Sequence, residues 1–427
     1  MRIDHLTLEN FRGFEKQSFE FDPQFNLIIG NNASGKTGLI EGLERACSSF
    51  FLGIGNQHAT SISEDDVRRF PVLQGDVVTI EPQFPVVVKA TGTITKQQVT
   101  WSRTLEGKGR RTTSKDAKSI REKAENISKL VQDGASVLLP LFSHYGTGRL
   151  WVQPRDMRGN PTSEKKASGS RLEGYRFSND PRIEVAELMR WLKRERYVAL
   201  EKGGNDRMGF RAAKEAIRSS LPGCRSVEYS VVEQTLVMEM EGKGAQPFHL
   251  LSDGQRIMVG LVADIAIKAA ILNPHLGESV LQETPGVVLI DEIDLHLHPR
   301  WQRHLVTDLK RTFPNIQFFA TTHSPQVIGE TPPEQIIKLE ADGQWSRPDQ
   351  TIGLSSDEIL EFIMQASTRN QESQKELDRL ERYLEEADFE QAQGLLCEMR
   401  KKYNGELKDI AAAESYMEQM DQLTENE

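Results

Sequence analysis

The sequence predicts an α/β fold, and three stretches carry that prediction. An apolar strand at Phe25 to Ile29 runs directly into the glycine-rich loop Gly30-Asn31-Asn32-Ala33-Ser34-Gly35-Lys36-Thr37 and then into an amphipathic helix. A second apolar strand, Val287 to Ile290, ends on the adjacent acids Asp291 and Glu292. A third, Ile316 to Ala320, closes with Thr321, Thr322 and His323.

The loop at 30–37 has a physical reading. Its glycines let the backbone curl so that N–H groups, together with the positive end of the following helix, surround a phosphate. Lys36 then reaches the outer phosphates of a nucleotide, and the Thr37 hydroxyl ligates magnesium. Asp291 supplies the matching carboxylate on the magnesium side, and Glu292 is the candidate base that orients water. Two neighbouring acids at a strand end are costly to keep unless a cation or water uses them. A histidine where a core strand meets the phosphate face, His323, can hydrogen-bond the terminal phosphate or the attacking water. ATP and Mg2+ are therefore the expected cofactors.

Composition bounds what else the chain can be. Its 427 residues suffice for one large domain or two ordinary ones. A mean hydropathy of −0.50 and the lack of a long apolar run argue against a membrane span and, with no apolar leader in "MRIDHLTLENFRGF", predict a cytoplasmic protein. Cys47, Cys224 and Cys397 are scattered and read as packing residues. The net charge of −10 is concentrated at the end. From residue 371 onward there are 16 acids against 7 bases. The body is near neutral, so the clusters at 108–111, 164–166 and 192–196 read as solvated faces or local contacts with DNA. His296 and His298, two residues apart with no third ligand in view, read as a packing or subunit-contact loop rather than a metal site.

Between these motifs, residues 76–94 and 97–107 alternate as an antiparallel meander beside the nucleotide, and 114–132 as a helix. Residues 178–222 read as a helical lobe, and 226–241 as a hairpin. Leu377, Leu380, Leu384 and Ala387, followed by Phe389, Ala392, Leu396, Met399 and Tyr403, recur at helical spacing. They predict amphipathic helices, either a hairpin folded on its own body or a docking module for a partner protein. The expected division is a body over 1–340 and a helical, acidic extension over 341–427.

"LLSDGQR" opens a further helix on a hydroxyl residue and a glycine, a second anion-binding helix end. It cannot easily share the phosphate that the chain's own loop surrounds. The economical arrangement is a homodimer in which Ser252, Gly254 and Gln255 of one copy cap the ATP of the other. Here the chain resembles the ABC-type ATPases, whose signature is Leu-Ser-Gly-Gly-Gln; Leu251-Ser252-Asp253-Gly254-Gln255 departs from it at Asp253. "NFRGF" after the first strand is similar to the branch holding the recombination, SMC and overcoming-lysogenization-defect ATPases. That resemblance implies a place for Arg12 near the nucleotide phosphates. Where the family carries a glutamine after a strand, this chain has Ser143, His144 and Tyr145.

The region between loop and signature has no room for long coiled-coil arms, and no nuclease carboxylate cluster follows His323. Such a chain, with "SHYGTGRLW" and "IDEIDLHLHP", closely resembles the ATPase subunit of the Septu anti-phage defence system, retron-associated versions included. The resemblance implies an ATP-hydrolysing regulatory subunit that forms higher oligomers, has a separate HNH endonuclease as partner, and meets DNA through the complex. The alternative is a stand-alone repair or recombination ATPase of the RecF type.

Overall fold

The computed structural model describes residues 1–427 apart from 75, 150–168, 341, 368, 404–407 and 425–427. The basic cluster at 164–166 and the last two residues of "SHYGTGRLW" lie outside the described residues. The chain forms two compact units, Met1–Ser356 and Asp357–Glu427.

In chain order the first unit begins with β1 (Arg2–Phe11), β2 (Phe14–Glu20), β3 (Phe25–Gly30) and α1 (Lys36–Cys47). Next come β4 (Arg69–Gln74), β5 (Val77–Pro82), β6 (Val86–Ile94), β7 (Gln97–Leu105), α2 (Lys118–Gln132) and β8 (Leu141–Tyr145). Then follow α3 (Val185–Glu201), α4 (Met208–Ser220), β9 (Cys224–Ser230), β10 (Thr235–Met240), β11 (Gly244–Pro247) and α5 (Asp253–Leu272). The unit closes with α6 (Val280–Glu283), β12 (Gly286–Ile290), α7 (Pro299–Thr312), β13 (Ile316–Thr321), α8 (Pro325–Gly329), β14 (Ile336–Leu339) and β15 (Trp345–Ser346).

Six strands form the central sheet, in the order β15-β14-β3-β13-β12-β8. All of its pairs are parallel except β14 with β15. Parallel strands covered on both faces are mostly apolar, which is why β12 appears in the sequence as an unbroken apolar run and β3 and β13 as runs interrupted by one amide each, Asn26 and Gln317. The order places the carboxyl ends of β3, β13 and β12 side by side. The glycine loop, the histidine and the acid pair therefore meet at one edge of the sheet.

The antiparallel sheet has the order β2-β1-β6-β7. It covers α1, and the Trp101 indole donates to the Ala46 carbonyl at 3.0 Å. The expected meander is divided differently: β5 leaves it to pair with β4 as a separate ribbon, while β6 pairs with β1. Residue alternation alone does not choose a strand's partner; here β6 lies along β1 from Arg2–Thr93 to Glu9–Val87. α3 and α4 form the predicted helical lobe, and the hairpin β9-β10 gains β11 as a third strand.

The first unit continues past 340. The Trp345 indole donates to Ser18 O at 2.8 Å, and Thr351 Oγ1 to Thr331 O at 2.6 Å, so residues after β14 are held by the body. The second unit has its own core of Leu380, Ala392, Leu395, Leu396, Met399, Ile410 and Ala413. That core lies on three helices, Gln371–Glu385, Phe389–Lys402 and Lys408–Thr424, where the apolar spacing marked two. Ala387 departs from the expected stripe: it is exposed and takes a φ of 55° in the turn between the first two helices.

Candidate nucleotide and magnesium site

The loop leaving β3 reverses with positive φ at Gly30 (148°), Ala33 (67°) and Gly35 (99°). Gly35 is required twice over. Its φ is left-handed, and a Cβ there would lie 2.9 Å from Cζ of Phe14, which packs against the loop from the start of β2. Asn31, Asn32 and Ala33 are exposed, while Ser34 is buried with no hydrogen-bond partner for its Oγ. Lys36 Nζ lies inside the curl and donates to the carbonyls of Gly30 at 2.8 Å and Asn31 at 2.9 Å. Burial holds Lys36 below the usual lysine range, against the pull of Asp291 and Glu292.

Across the sheet edge, Thr37 Oγ1 is 3.5 Å from Asp291 Oδ2. The sequence separates these two by some 250 positions, and the strand order brings them face to face. A hydroxyl and a carboxylate oxygen at this spacing suit a hard divalent cation. The curled loop, the orphaned Ser34 Oγ and a lysine tied only to carbonyls suit a phosphate. The residues present thus fit a bound nucleotide and its metal.

Glu292 follows Asp291 with a φ of 48°. A left-handed backbone on a non-glycine residue costs on the order of 1 to 3 kcal/mol, so its surroundings must hold it. Thr321 Oγ1 accepts from the Glu292 N–H at 2.7 Å and donates to Asp291 Oδ1 at 2.5 Å. Arg149 donates through Nη1 to Asp291 O at 2.7 Å and through Nη2 to Glu292 O at 2.8 Å. This guanidinium is buried, and burial lowers its pKa to about 10 despite Asp291, Asp294 and Glu292 nearby. We expect Thr321→Val to destabilise the fold by about 1 to 3 kcal/mol, because the Glu292 N–H and an Asp291 oxygen lose their partner. Thermal unfolding reads the effect.

His323 lies just past the end of β13 and is partly exposed. Its pKa lies below the usual histidine value, through burial and the neighbouring Lys36 charge, which outweigh Asp294, Glu292 and Asp291. Neutral near pH 7, it can accept a proton. Thr322 Oγ1 donates to Asp294 Oδ1 at 2.5 Å, fixing the turn after the acids. Arg12, with a φ of 51°, reaches the first turns of α1, but its guanidinium is engaged by Glu41 and, at 3.2 Å, by Asp66.

Of the three residues at the end of β8, two are committed to α5. Ser143 Oγ accepts from Lys268 Nζ at 3.0 Å, and Tyr145 OH donates to Asp264 at 2.6 Å. Strand alternation sends His144 to the other face, where burial drives its pKa down to about 4 and the Asp291 charge is felt.

The start of α5 is closed by a capping box. Ser252 Oγ accepts from Gln255 N at 3.4 Å, and Gln255 Oε1 accepts from Ser252 N at 3.0 Å. Ser252 and Asp253 are exposed, and Asp253 pairs with Arg256. A Cβ on Gly254 would lie 2.5 Å from His296 O, so only glycine lets the helix start sit against the turn that follows the acids. His298 caps α7 by accepting from Arg300 N at 3.2 Å. Among the described residues no group of three or more His, Cys, Asp or Glu forms a further metal cluster. No described helix is long and apolar enough to cross a membrane.

Loop, acid strand and histidine strand at one edge of this sheet define a nucleotide-binding ATPase with a P-loop α/β fold. The chain belongs to the family described as "AAA domain, putative AbiEii toxin, Type IV TA system", whose model matches residues 25–329. It is 23% identical to the Retron Ec83 probable ATPase of Escherichia coli, over 86% of this chain and 77% of that one. It is 26% identical to the Retron Vc95 probable ATPase of Vibrio cholerae, over 79% of this chain and 73% of that one. A shorter match, 33% identical over 22% of this chain and 24% of the other, is to the Septu protein PtuA of Bacillus thuringiensis. The chain is thus an ATPase similar to those of retrons and, over a shorter stretch, to the Septu protein PtuA.

Thr321 and His144 stand in the sequence reading by position, and Arg149 lies within "SHYGTGRLW". What no motif marks is their contacts: the hold of Thr321 and Arg149 on Glu292, and the turn of His144 toward Asp291.

Proposed function

We propose that this ATPase is the regulatory subunit of an anti-phage defence complex. It works as a homodimer, within a higher oligomer, in which the Ser252 end of one copy completes the nucleotide pocket of the other, and it controls a separate HNH-type DNA endonuclease. The observation that carries the dimer is the state of that helix end. Ser252 is exposed, and its hydroxyl's described contacts run to Gln255 rather than to the chain's own phosphate loop. The likeness to retron and Septu ATPases supports the defence role.

In the pocket the loop N–H groups and Lys36 bind the phosphates, while Thr37 and Asp291 hold the magnesium. When bound, magnesium-ATP supplies an electrophilic terminal phosphoryl group whose charge the metal offsets. Glu292 accepts a hydrogen bond from water and orients it, and His323 accepts or donates at the terminal phosphate. Asp253 adds a negative charge beside the capping serine, and its pairing with Arg256 offsets that charge.

Ser252→Arg places a bulky cation at the contact and is expected to abolish ATP-dependent association, with nucleotide binding to the monomer retained. Light scattering with and without ATP measures this. The purified chain, given ATP, magnesium and plasmid, should hydrolyse ATP and leave the plasmid intact. DNA cutting by the chain alone would contradict the division of labour.

A further inference from the structure

We infer that Arg149 is a positioning residue for hydrolysis, holding Glu292 in its left-handed conformation through the peptide groups on both sides of its Cα. The inference rests on the reading of Glu292 as the water-orienting base. Nη1 holds the Asp291 carbonyl at 2.7 Å and Nη2 the Glu292 carbonyl at 2.8 Å. The Glu292 N–H, in the same peptide plane as the first carbonyl, is held by Thr321 Oγ1 at 2.7 Å. With both planes fixed, φ and ψ of Glu292 have no freedom left, and the carboxylate is aimed by the backbone.

A neutral donor could satisfy two carbonyls at less desolvation cost than a buried guanidinium. What the guanidinium adds is a planar fork that spans successive carbonyls and a positive charge behind Asp291, Glu292 and Asp294. The same side chain donates to Gly146 O at 3.2 Å, which ties the acids to the loop after β8.

The test measures kcat, KM for ATP and the affinity for a non-hydrolysable ATP analogue in Arg149→Ala, Arg149→Lys and Glu292→Gln. Arg149→Ala should lose about 10- to 100-fold in kcat while KM and analogue affinity hold. Millimolar guanidinium should restore part of that kcat, and none in Glu292→Gln. Parental kcat in Arg149→Ala, or analogue affinity lost in step with kcat, overturns the inference. Should Arg149→Ala not fold, the same criteria apply to Arg149→Lys. Parental turnover in Glu292→Gln would instead remove the reading beneath it, whereas an inert Glu292→Gln beside a fully active Arg149→Ala removes only the role of Arg149.

Discussion

Replacing Glu292 by Gln is expected to reduce ATP turnover by about 10²- to 10⁴-fold, the usual contribution of a positioned acid or base, while ATP stays tightly bound. The substitution keeps the shape of the side chain. It leaves untouched the hydrogen bonds that fix this residue, because Thr321 and Arg149 hold its backbone N–H and carbonyl rather than its carboxylate. Asp291 keeps its charge opposite Thr37, so the metal position survives. The variant should therefore accumulate the ATP-bound, closed dimer. Single-turnover phosphate release and filter retention of labelled ATP separate the two effects. Hydrolysis at the parental rate would remove Glu292 from the chemistry.

Lys36→Ala should act earlier, on binding. Its ammonium is held inside the loop by two carbonyls, 2.8 and 2.9 Å away, and is the one cation whose described contacts place it within the loop curl. A hydrogen bond to a charged group contributes roughly 1.5 to 3 kcal/mol, so nucleotide affinity should fall about 10- to 100-fold. Calorimetric titration with ATP measures the loss. Unchanged affinity would mean that phosphate binding rests on backbone groups alone.

The parts of this molecule that were legible in sequence share one property: the chemistry and the structural context are contiguous. β3, the phosphate loop and the start of α1 form a single run of residues, and the predominantly apolar character of β12 and β13 reflects burial on both faces. Whatever depends on register or on distant partners was not legible. The clamp on Glu292 joins Arg149 to residues more than 140 positions away and Thr321 to a strand neighbour 30 positions away. Neither link leaves a local pattern. Likewise β5 pairs with β4 and β6 with β1, a choice of partners that depends on tertiary burial: β6 alternates buried and less buried positions, while β5 is largely exposed. The choice among Ser143, His144 and Tyr145 needed the strand's facing. Once α5 claims the first and third, alternation leaves His144 toward the acids. Arg12 illustrates the reverse case. The resemblance implies a place for it near the nucleotide phosphates, while its pairing with Glu41 and Asp66 depends on a loop that no motif marks.

The dimeric pocket is tested most directly by mixing two inactive variants, Lys36→Ala and Ser252→Arg, and measuring ATP hydrolysis. Each copy carries the half-site that the other lacks. A mixed pair holds one intact pocket, made from Lys36 of the Ser252→Arg copy and Ser252 of the Lys36→Ala copy. Since neither variant forms the ATP-bound pair with itself, the dimers that form are mixed and carry one intact pocket of two, so activity should return to at most about half of the parental rate. A mixture that stays as inactive as its components, with both proteins folded and free to exchange partners, would show that each chain works with its own residues alone.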